Sequence, residues 1–386
     1  MRNASQAIDV LRADPCGARL MKAFAAGEGV HLVGGAVRDL LLERAPRELD
    51  LVVEGDVDAA AARLDGEVTA HDRFGTARVR AGGCAYDLVR ARAETYAHPG
   101  ALPDVRPGTL DEDLRRRDVT VNAIALGLDG AVTAVDGALE DLRAGRLRVL
   151  HDASFVDDPT RVWRVARYAA RLGFDVEERT RALAGAADPA TVSGDRLGAE
   201  LRLALSEPDP LAALQAVREL NPAYLPEGFD AHPRALAAAF ELLGGEGRAD
   251  LLTLAACTAS MDARALLAWL DDMGFTAAER DLVAAASRFS TGAPLRAART
   301  NAEIARAVRG APIEAVALAG GENARRWLAE LRDVRLEING DDLLAAGIPE
   351  GPGIGARLQR TLDRKLDGEL AGRDQELAAA LDQDAG

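Results

Sequence analysis

The sequence predicts an α/β head followed by a long all-helical extension, and three observations carry that prediction. Runs of β-branched and apolar residues closed by glycine or charge are concentrated in the first 150 residues. From Asp157 onward strand-like pattern is scarce, and a chain rich in Ala, Leu, Arg and Glu places its apolar residues at helical spacing. Turn signals then cut the extension at 206–210 (SEPDP), 221–228 (NPAYLPEG), 244–247 and 292–294.

Composition bounds the reading. At 386 residues the chain is long enough for two to four compact units. Its 48% hydrophobic and 28% charged residues are those of a soluble globular protein, which excludes wholesale disorder. No apolar run reaches bilayer length. The opening MRNASQAIDVLRADP lacks the apolar core and cleavage-like end of a signal peptide, so a cytoplasmic location without membrane attachment is expected. Cys16, Cys84 and Cys257 are far apart and odd in number, which argues against a disulfide framework and against a zinc cluster. The net charge of −15 counts against a nucleic-acid partner at face value, although the placement of basic residues matters more than their sum. Lysine occurs only at Lys22 and Lys365, so the basic charge is almost all arginine, the better residue for forked contacts to phosphates and bases.

In the head, GVHLVGG (29–35), ELDLVVEG (48–55), ARVRAG (77–82) and CAYDLVRAR (84–92) read as strands. Gly34 and Gly35 follow the first strand and open a helix. Glycine lets the backbone approach an anion, and a helix start offers free N–H groups. Without further context the same pattern is a tight turn. In the second strand, period-two alternation puts Glu48 and Asp50 on one face and Leu49, Leu51 and Val53 on the other, toward the core. Adjacent carboxylates repel unless solvated or bound to cations. Asp87 on the fourth strand completes a set of three that suits a two-Mg²⁺ phosphoryl-transfer site. The alternative is an acidic, solvated strand face. Residues 119–128 also read as strand-like, and Asp157, Asp158 and Pro159 read as the start of a helix. Between Asp87 and Asp118, the polar stretch 93–106 with two prolines reads as a long mobile loop.

These residues carry a resemblance. GGAVRD (34–39) followed by ELDL (48–51) resembles the head of the class II CCA-adding enzymes and bacterial poly(A) polymerases, within the DNA polymerase beta superfamily of nucleotidyltransferases. Phe74, Gly75 and Thr76 resemble that family's strand entry. DLRRRDVTVNA (113–123) resembles its R-R-D-F-T-I-N-A motif, Asp136 and Gly137 with LEDL (139–142) a shortened later segment, and VDDPTR (156–161) with Arg164, Arg167 and Tyr168 its arginine-rich helix. Four motifs fall in order over some 140 residues. The chain departs at Glu48, where the family usually has Asp.

The resemblance implies an α+β nucleotidyltransferase head, a small mixed β-sheet with flanking helices, followed by an all-α neck, body and tail in an elongated multi-domain chain. It places the catalytic head at 1–150, a neck that recognises the base at 151–210, an RNA-binding body at 211–335 and a tRNA-binding tail at 336–386. It implies Glu48, Asp50 and Asp87 as catalytic ligands of two Mg²⁺ ions, with CTP and ATP as substrates. Gly34, Gly35, Arg38, Arg117, Asp118, Asn122, Asp158, Arg161, Arg164 and Arg167 are implied in nucleotide binding, Asp118 at the ribose hydroxyl and Arg117 at phosphate or base. Asn122 reads equally as an organiser of its loop. Arg196 and Glu200 would brace the base-reading helix. The expected reaction is template-independent addition of C, C and A to the tRNA 3′ end with release of pyrophosphate. The expected partner is the tRNA acceptor end and elbow, and the sequence names no protein partner.

Asp158 and Arg161 give that expectation a physical basis. Three apart, they share a helix face. Cytosine and adenine each present an amino donor beside a ring-nitrogen acceptor, which a carboxylate and a guanidinium complement; uracil and guanine present the reverse. In the tail, Arg357, Arg360, Arg364 and Lys365 fall at helical spacing as candidate phosphate contacts. After residue 151 only His232 remains, too few histidines for the phosphohydrolase domain some relatives carry. Rival readings are an A-adding or CC-adding enzyme, a poly(A) polymerase, and a non-catalytic RNA-binding protein. A near full-length 93–106 loop favours complete CCA or A addition over CC addition alone.

Overall fold

A computed structural model describes the chain except for residues 26, 47, 72–74, 231, 291 and 383–386, and the side chains of 70 and 71. Phe74 of the strand-entry motif therefore lies outside the described residues. The chain divides into two compact units, Met1–Leu225 and Pro226–Gly386.

Unit 1 opens with helices α1 (Ala4–Ala13) and α2 (Pro15–Ala23), then alternates β1 (Val30–Val33), α3 (Gly35–Leu41), β2 (Leu49–Val53) and α4 (Val57–Arg63). Four strands follow, β3 (Glu67–His71), β4 (Thr76–Ala81), β5 (Cys84–Arg90) and β6 (Arg92–Thr95), then β7 (Asp104–Pro107) and α5 (Leu110–Arg115). The head closes with β8 (Ile124–Gly127), β9 (Val132–Ala134), α6 (Ala138–Ala144) and β10 (Arg146–Leu147). Next come α7 (Ser154–Asp157), α8 (Arg161–Leu172), β11 (Asp175–Val176), α9 (Glu178–Gly185), α10 (Gly194–Leu205) and α11 (Pro210–Leu220).

Seven strands form one mixed sheet in the order β3-β4-β5-β2-β1-β8-β9. Only β2 and β5 in that sheet run parallel, with Asp50 opposite Asp87. Leu51 and Leu88 are fully buried on one face. On the other face Val52 packs with Val33, Ala125 and two residues of α5, Leu110 and Leu114. Both faces of β2 are thus covered over Leu51–Val53, which is why burial there does not alternate. A side-chain cap from Thr109 with a return bond from Glu112 fixes where α5 begins.

Four expectations change. Cys16 on α2 and Cys84 at the start of β5 form a disulfide across 68 residues, against the reading that the cysteines were too scattered to pair. The stretch read as a loop is partly a hairpin: β6 and β7 pair antiparallel from Arg92–Pro107 to Thr95–Asp104. Its connection touches ground at Gly100, whose N–H donates to Val156 O (3.0 Å). Asp158 is extended rather than helical, and α8 begins at Arg161. The Asp158 carboxylate accepts from Thr160 N and Oγ1 (3.1 and 2.7 Å), a local bond that competes with helix geometry. Of 119–128, only 124–127 is strand, and Thr120–Asn122 is a 3₁₀ turn.

Helix α11 packs on α8, and the unit boundary follows it at Leu225. Unit 2 is helical throughout its described elements, from Pro233–Leu243 to Arg373–Leu381. Within it, Ile338, Leu343 and Ala380 form a small core of residues 336–381. That packing revises the tail stripe. Arg357 is buried and its guanidinium donates to the carbonyls of Ala380 and Leu381 (2.9 and 3.3 Å), closing the end of a neighbouring helix. Lys365 pairs with Glu376 and Arg364 with Glu369 (2.8 Å). Arg360 is the exposed member that keeps no charged partner among the described residues. Among the described residues no helix is long and apolar enough to cross a membrane.

Candidate active site

The parallel β2–β5 pair sets the first half of the site. Glu48, Asp50 and Asp87 each bring one carboxylate oxygen within 4.8 Å of the others. Asp50 is pushed up to about 6, by burial first and then by the charges of Glu48 and Asp87. Three carboxylates this close, two of them partly buried, are the donor set a divalent cation takes. Arg78, directly across β4 from Asp87, forks onto both its oxygens (2.6 Å each) and comes within 3.8 Å of Glu48. Sequence reading missed Arg78 because only the antiparallel register of β4 and β5 brings it there.

The glycine turn sets the second half. Gly34 has φ +64° and precedes α3, and a Cβ added there would lie 2.7 Å from Arg117 Nη1. Glycine therefore allows both the turn and the close approach of the guanidinium. Arg117 and Arg116 both bond Asp113, a carboxylate with no exposed surface, at 2.8 and 2.7 Å. Burial opposes its ionisation, but the two arginines overturn that and hold it below its ordinary range.

Asp118 is the hub. It is buried, and burial alone would raise it, yet Arg164, Asn122 and Arg161 hold it far below the usual carboxylate range. It accepts from Val119 N (2.8 Å), Asn122 Nδ2 (3.1 Å), Arg164 (2.7 Å) and Tyr168 Oη (2.9 Å). Burial pushes the Tyr168 phenol up to about 12, so it remains a donor. Asn122 in turn accepts from buried Arg38 (2.6 Å), whose guanidinium lies 5.7 Å from the Tyr168 ring centre. Asp118 thus holds Arg164, Asn122 and Tyr168 together.

Helix α8 supplies the far wall of a cleft of about 600 Å³ whose lining includes Gly34, Asp50, Arg117, Asp158, Arg161 and Arg164. Arg161 is 5% exposed, with Nη1 donating to Ser154 Oγ (2.8 Å) and Nη2 to Arg116 O (2.9 Å) and Tyr96 Oη (3.4 Å). Asp158 Oδ1 is held by Arg196 (2.9 Å), which also donates to Gly100 O (2.7 Å). Arg167 pairs with Glu200 (2.8 Å) and Glu207 (3.1 Å), tying α8 to α10 and the turn after it. Arg196 and Glu200 therefore brace Asp158 and Arg167. Arg92 and Arg117 each keep a buried Nε–H without a hydrogen-bond partner. Glu94 on β6 joins the hairpin to this wall through Arg92, Arg116 and Tyr96 (2.9, 3.0 and 3.2 Å). Glu94 and Tyr96 were inside the stretch read as a loop and went unnoticed as site residues.

The structure brings the head and neck residues into this one cleft region, with Glu48 and Asp87 at the rim beside Asp50. The tail residues lie in unit 2 and are not part of it.

Comparison with known proteins gives three findings. A family profile described as the Poly A polymerase head domain matches residues 30–148. An A-adding tRNA nucleotidyltransferase of Geobacter sulfurreducens is 34% identical over 91% of this chain and 45% of its own length. A CC-adding tRNA nucleotidyltransferase of Deinococcus radiodurans is 45% identical over 46% of this chain and 50% of its own. The matches thus span about half the length of these curated relatives. Among solved structures, the Thermotoga maritima CCA-adding enzyme complexed with tRNA superposes with a TM-score of 0.75 at 27% identity, covering 98% of both chains.

Proposed function

The chain belongs to the class II CCA-adding and poly(A) polymerase-type family, and from that premise we propose that it adds C, C and A to the 3′ end of tRNA, using CTP and ATP. The observation that carries the reading is one cleft holding both Asp50 and the Asp158–Arg161 pair, reaction and base selection within a nucleotide's reach.

In this reading Glu48, Asp50 and Asp87 would hold two Mg²⁺ ions, which would supply charge neutralisation for the attacking hydroxyl and the departing pyrophosphate. The tRNA 3′ oxygen forms a bond to the α-phosphorus, and the bond from that phosphorus to the pyrophosphate oxygen breaks. Arg117, pinned against Gly34 by Asp113, faces the triphosphate. Asp158 has Oδ1 committed to Thr160 and Arg196, which leaves Oδ2 to accept from the amino group of cytosine or adenine. Arg161 donates to the ring nitrogen. Against uracil or guanine each group meets its own kind, at about 1–3 kcal/mol per unpaired buried group. Asp118, Arg164, Tyr168 and Asn122 fix the wall on which that pair stands, and Arg167 anchors the helix behind it. The tRNA acceptor end reaches this cleft, and unit 2 grips the rest.

Addition of A alone is the second reading, favoured by the 91% coverage with the A-adding Geobacter enzyme. Three tRNA transcripts separate the readings, ending at the discriminator base, at C and at CC, each given CTP, ATP or both with Mg²⁺. Extension of all three to CCA followed by a stop is the expected result. A single A on the CC-ended transcript alone would establish A addition, and a long A tail would establish poly(A) synthesis.

A further inference from the structure

Arg78 has no role in the reaction just described, yet it touches two of the three carboxylates. It lies on β4 opposite Asp87, and its Nε and Nη2 each donate to one Asp87 oxygen at 2.6 Å. Nη2 lies 3.8 Å from Glu48 as well. A fork of this kind takes one lone pair on each Asp87 oxygen and sets a positive charge against the carboxylate a metal ion would share. Its positive end also occupies the space between Glu48 and Asp87 where a cation is most stabilised. We propose that Arg78 is an internal cation that holds the Glu48–Asp87 side of the site in the nucleotide-free protein and must leave for a divalent ion to bind there. The inference rests on the reading of Glu48, Asp50 and Asp87 as metal ligands.

Two consequences follow from the charges. Without a divalent ion, Arg78 offsets the mutual repulsion of the triad, so the carboxylates stay together and need not scatter into solvent. With an incoming ion, its guanidinium opposes binding until it swings away. The side chain is 44% exposed and has room to do so. The displaced guanidinium would then stand at the site's edge, free to meet the phosphates of a nucleotide that brings its own ion. Free protein would therefore bind a lone divalent ion weakly, and nucleotide and ion would enter together.

An orienting role for the fork makes the opposite prediction, since a side chain that positions Asp87 as a ligand strengthens binding. Mn²⁺ titration of the nucleotide-free full chain by electron paramagnetic resonance distinguishes the two. Arg78→Gln removes the charge and is expected to bind Mn²⁺ about ten-fold more tightly than the unsubstituted chain, the order expected when a repelling unit charge a few ångströms away is lost. Arg78→Lys keeps a positive charge without the fork and is expected to stay near the unsubstituted value. Far-UV circular dichroism checks that each variant folds. An unchanged or weaker affinity in Arg78→Gln overturns the inference. If that variant does not fold, Arg78→Lys decides alone, because weakened binding there would make the fork an orienting device. Absence of Mn²⁺ binding in all three folded proteins would overturn the metal-site reading and this inference with it, an outcome unlike any in which only the affinities fail to move.

Discussion

Asp50 ionises only near pH 6, whereas in the unfolded chain it would do so near 3.8. Between those values the native protein holds the proton and the unfolded chain does not. Stability of the metal-free protein therefore falls as pH rises from about 4 through 6, and the penalty persists above that window. Removing the charge removes the penalty. Asp50→Asn is expected to stabilise the metal-free protein by on the order of 1–3 kcal/mol at about pH 7.5 and to have little effect near pH 4. Mg²⁺ should stabilise the unsubstituted chain but not this variant. Urea unfolding in the presence of a chelator measures the difference, and equal stabilities at the higher pH would mean that the three carboxylates do not crowd one another. At the other end of the cleft, Asp158→Ala is expected to narrow the preference for ATP over GTP on a CC-ended tRNA by about 10- to 100-fold in kcat/KM, the worth of one or two unpaired buried groups. A preference that does not move would show that the base is read elsewhere.

Between residues and molecule, the β6–β7 hairpin is the element on which the selecting wall depends. It reaches that wall at two places, through Glu94 and Tyr96 at the end of β6 and through Gly100 in the connection. Gly100 has φ +70°, and a Cβ there would lie 2.2 Å from Thr191 O, so no other residue fits without moving the backbone. Gly100→Ala is expected to undock the connection, seen as faster amide exchange in a peptide spanning 96–103, whose Gly100 N–H otherwise donates to Val156 O. Unchanged protection would mean the connection does not need this contact. How little of this was legible follows from what sequence periodicity can see. β2 and β5 announced themselves because Leu49, Leu51 and Val53 repeat at the strand period beside Asp50. The hairpin strands carry charge and proline, and their pairing partner is about twelve residues away, so they read as loop. β3 is an exposed edge strand with polar residues and gave no signal either. The same limit hid three long-range matches: Arg78 to Asp87, Cys16 to Cys84, and Arg357 to the carbonyls of Ala380 and Leu381. The carboxylates, the glycine turn and Asp158 were legible because their chemistry is local to their own strands and turns.

At the scale of the whole chain, all the cleft residues fall between Gly34 and Leu203, inside the first compact unit. That unit has its own buried core, with Leu32, Leu51, Leu88, Trp163 and Val217 almost fully enclosed, and α11 closes it against α8. Unit 2 encloses a separate set, among them Leu252, Leu270, Val283 and Val316. Two cores imply two cooperative units rather than one. A fragment of residues 1–225 is therefore expected to fold alone and to bind CTP and ATP about as tightly as the full chain. Its affinity for tRNA should fall by about ten-fold or more, with a shallower dependence on salt, because the phosphate contacts proposed for unit 2 go with it. The net charge of −15 makes that test sharp, since so acidic a chain can hold RNA only through local basic patches. Arg360 is the tail cation without a charged partner among the described residues, and Arg360→Ala in the full chain should lower the salt slope by about one while leaving nucleotide affinity alone. Equal tRNA affinity and equal salt slope in fragment and full chain would assign the RNA contacts to unit 1 and leave unit 2 without the gripping role proposed for it. Loss of nucleotide binding in a folded fragment would show instead that the cleft needs unit 2 to hold its shape.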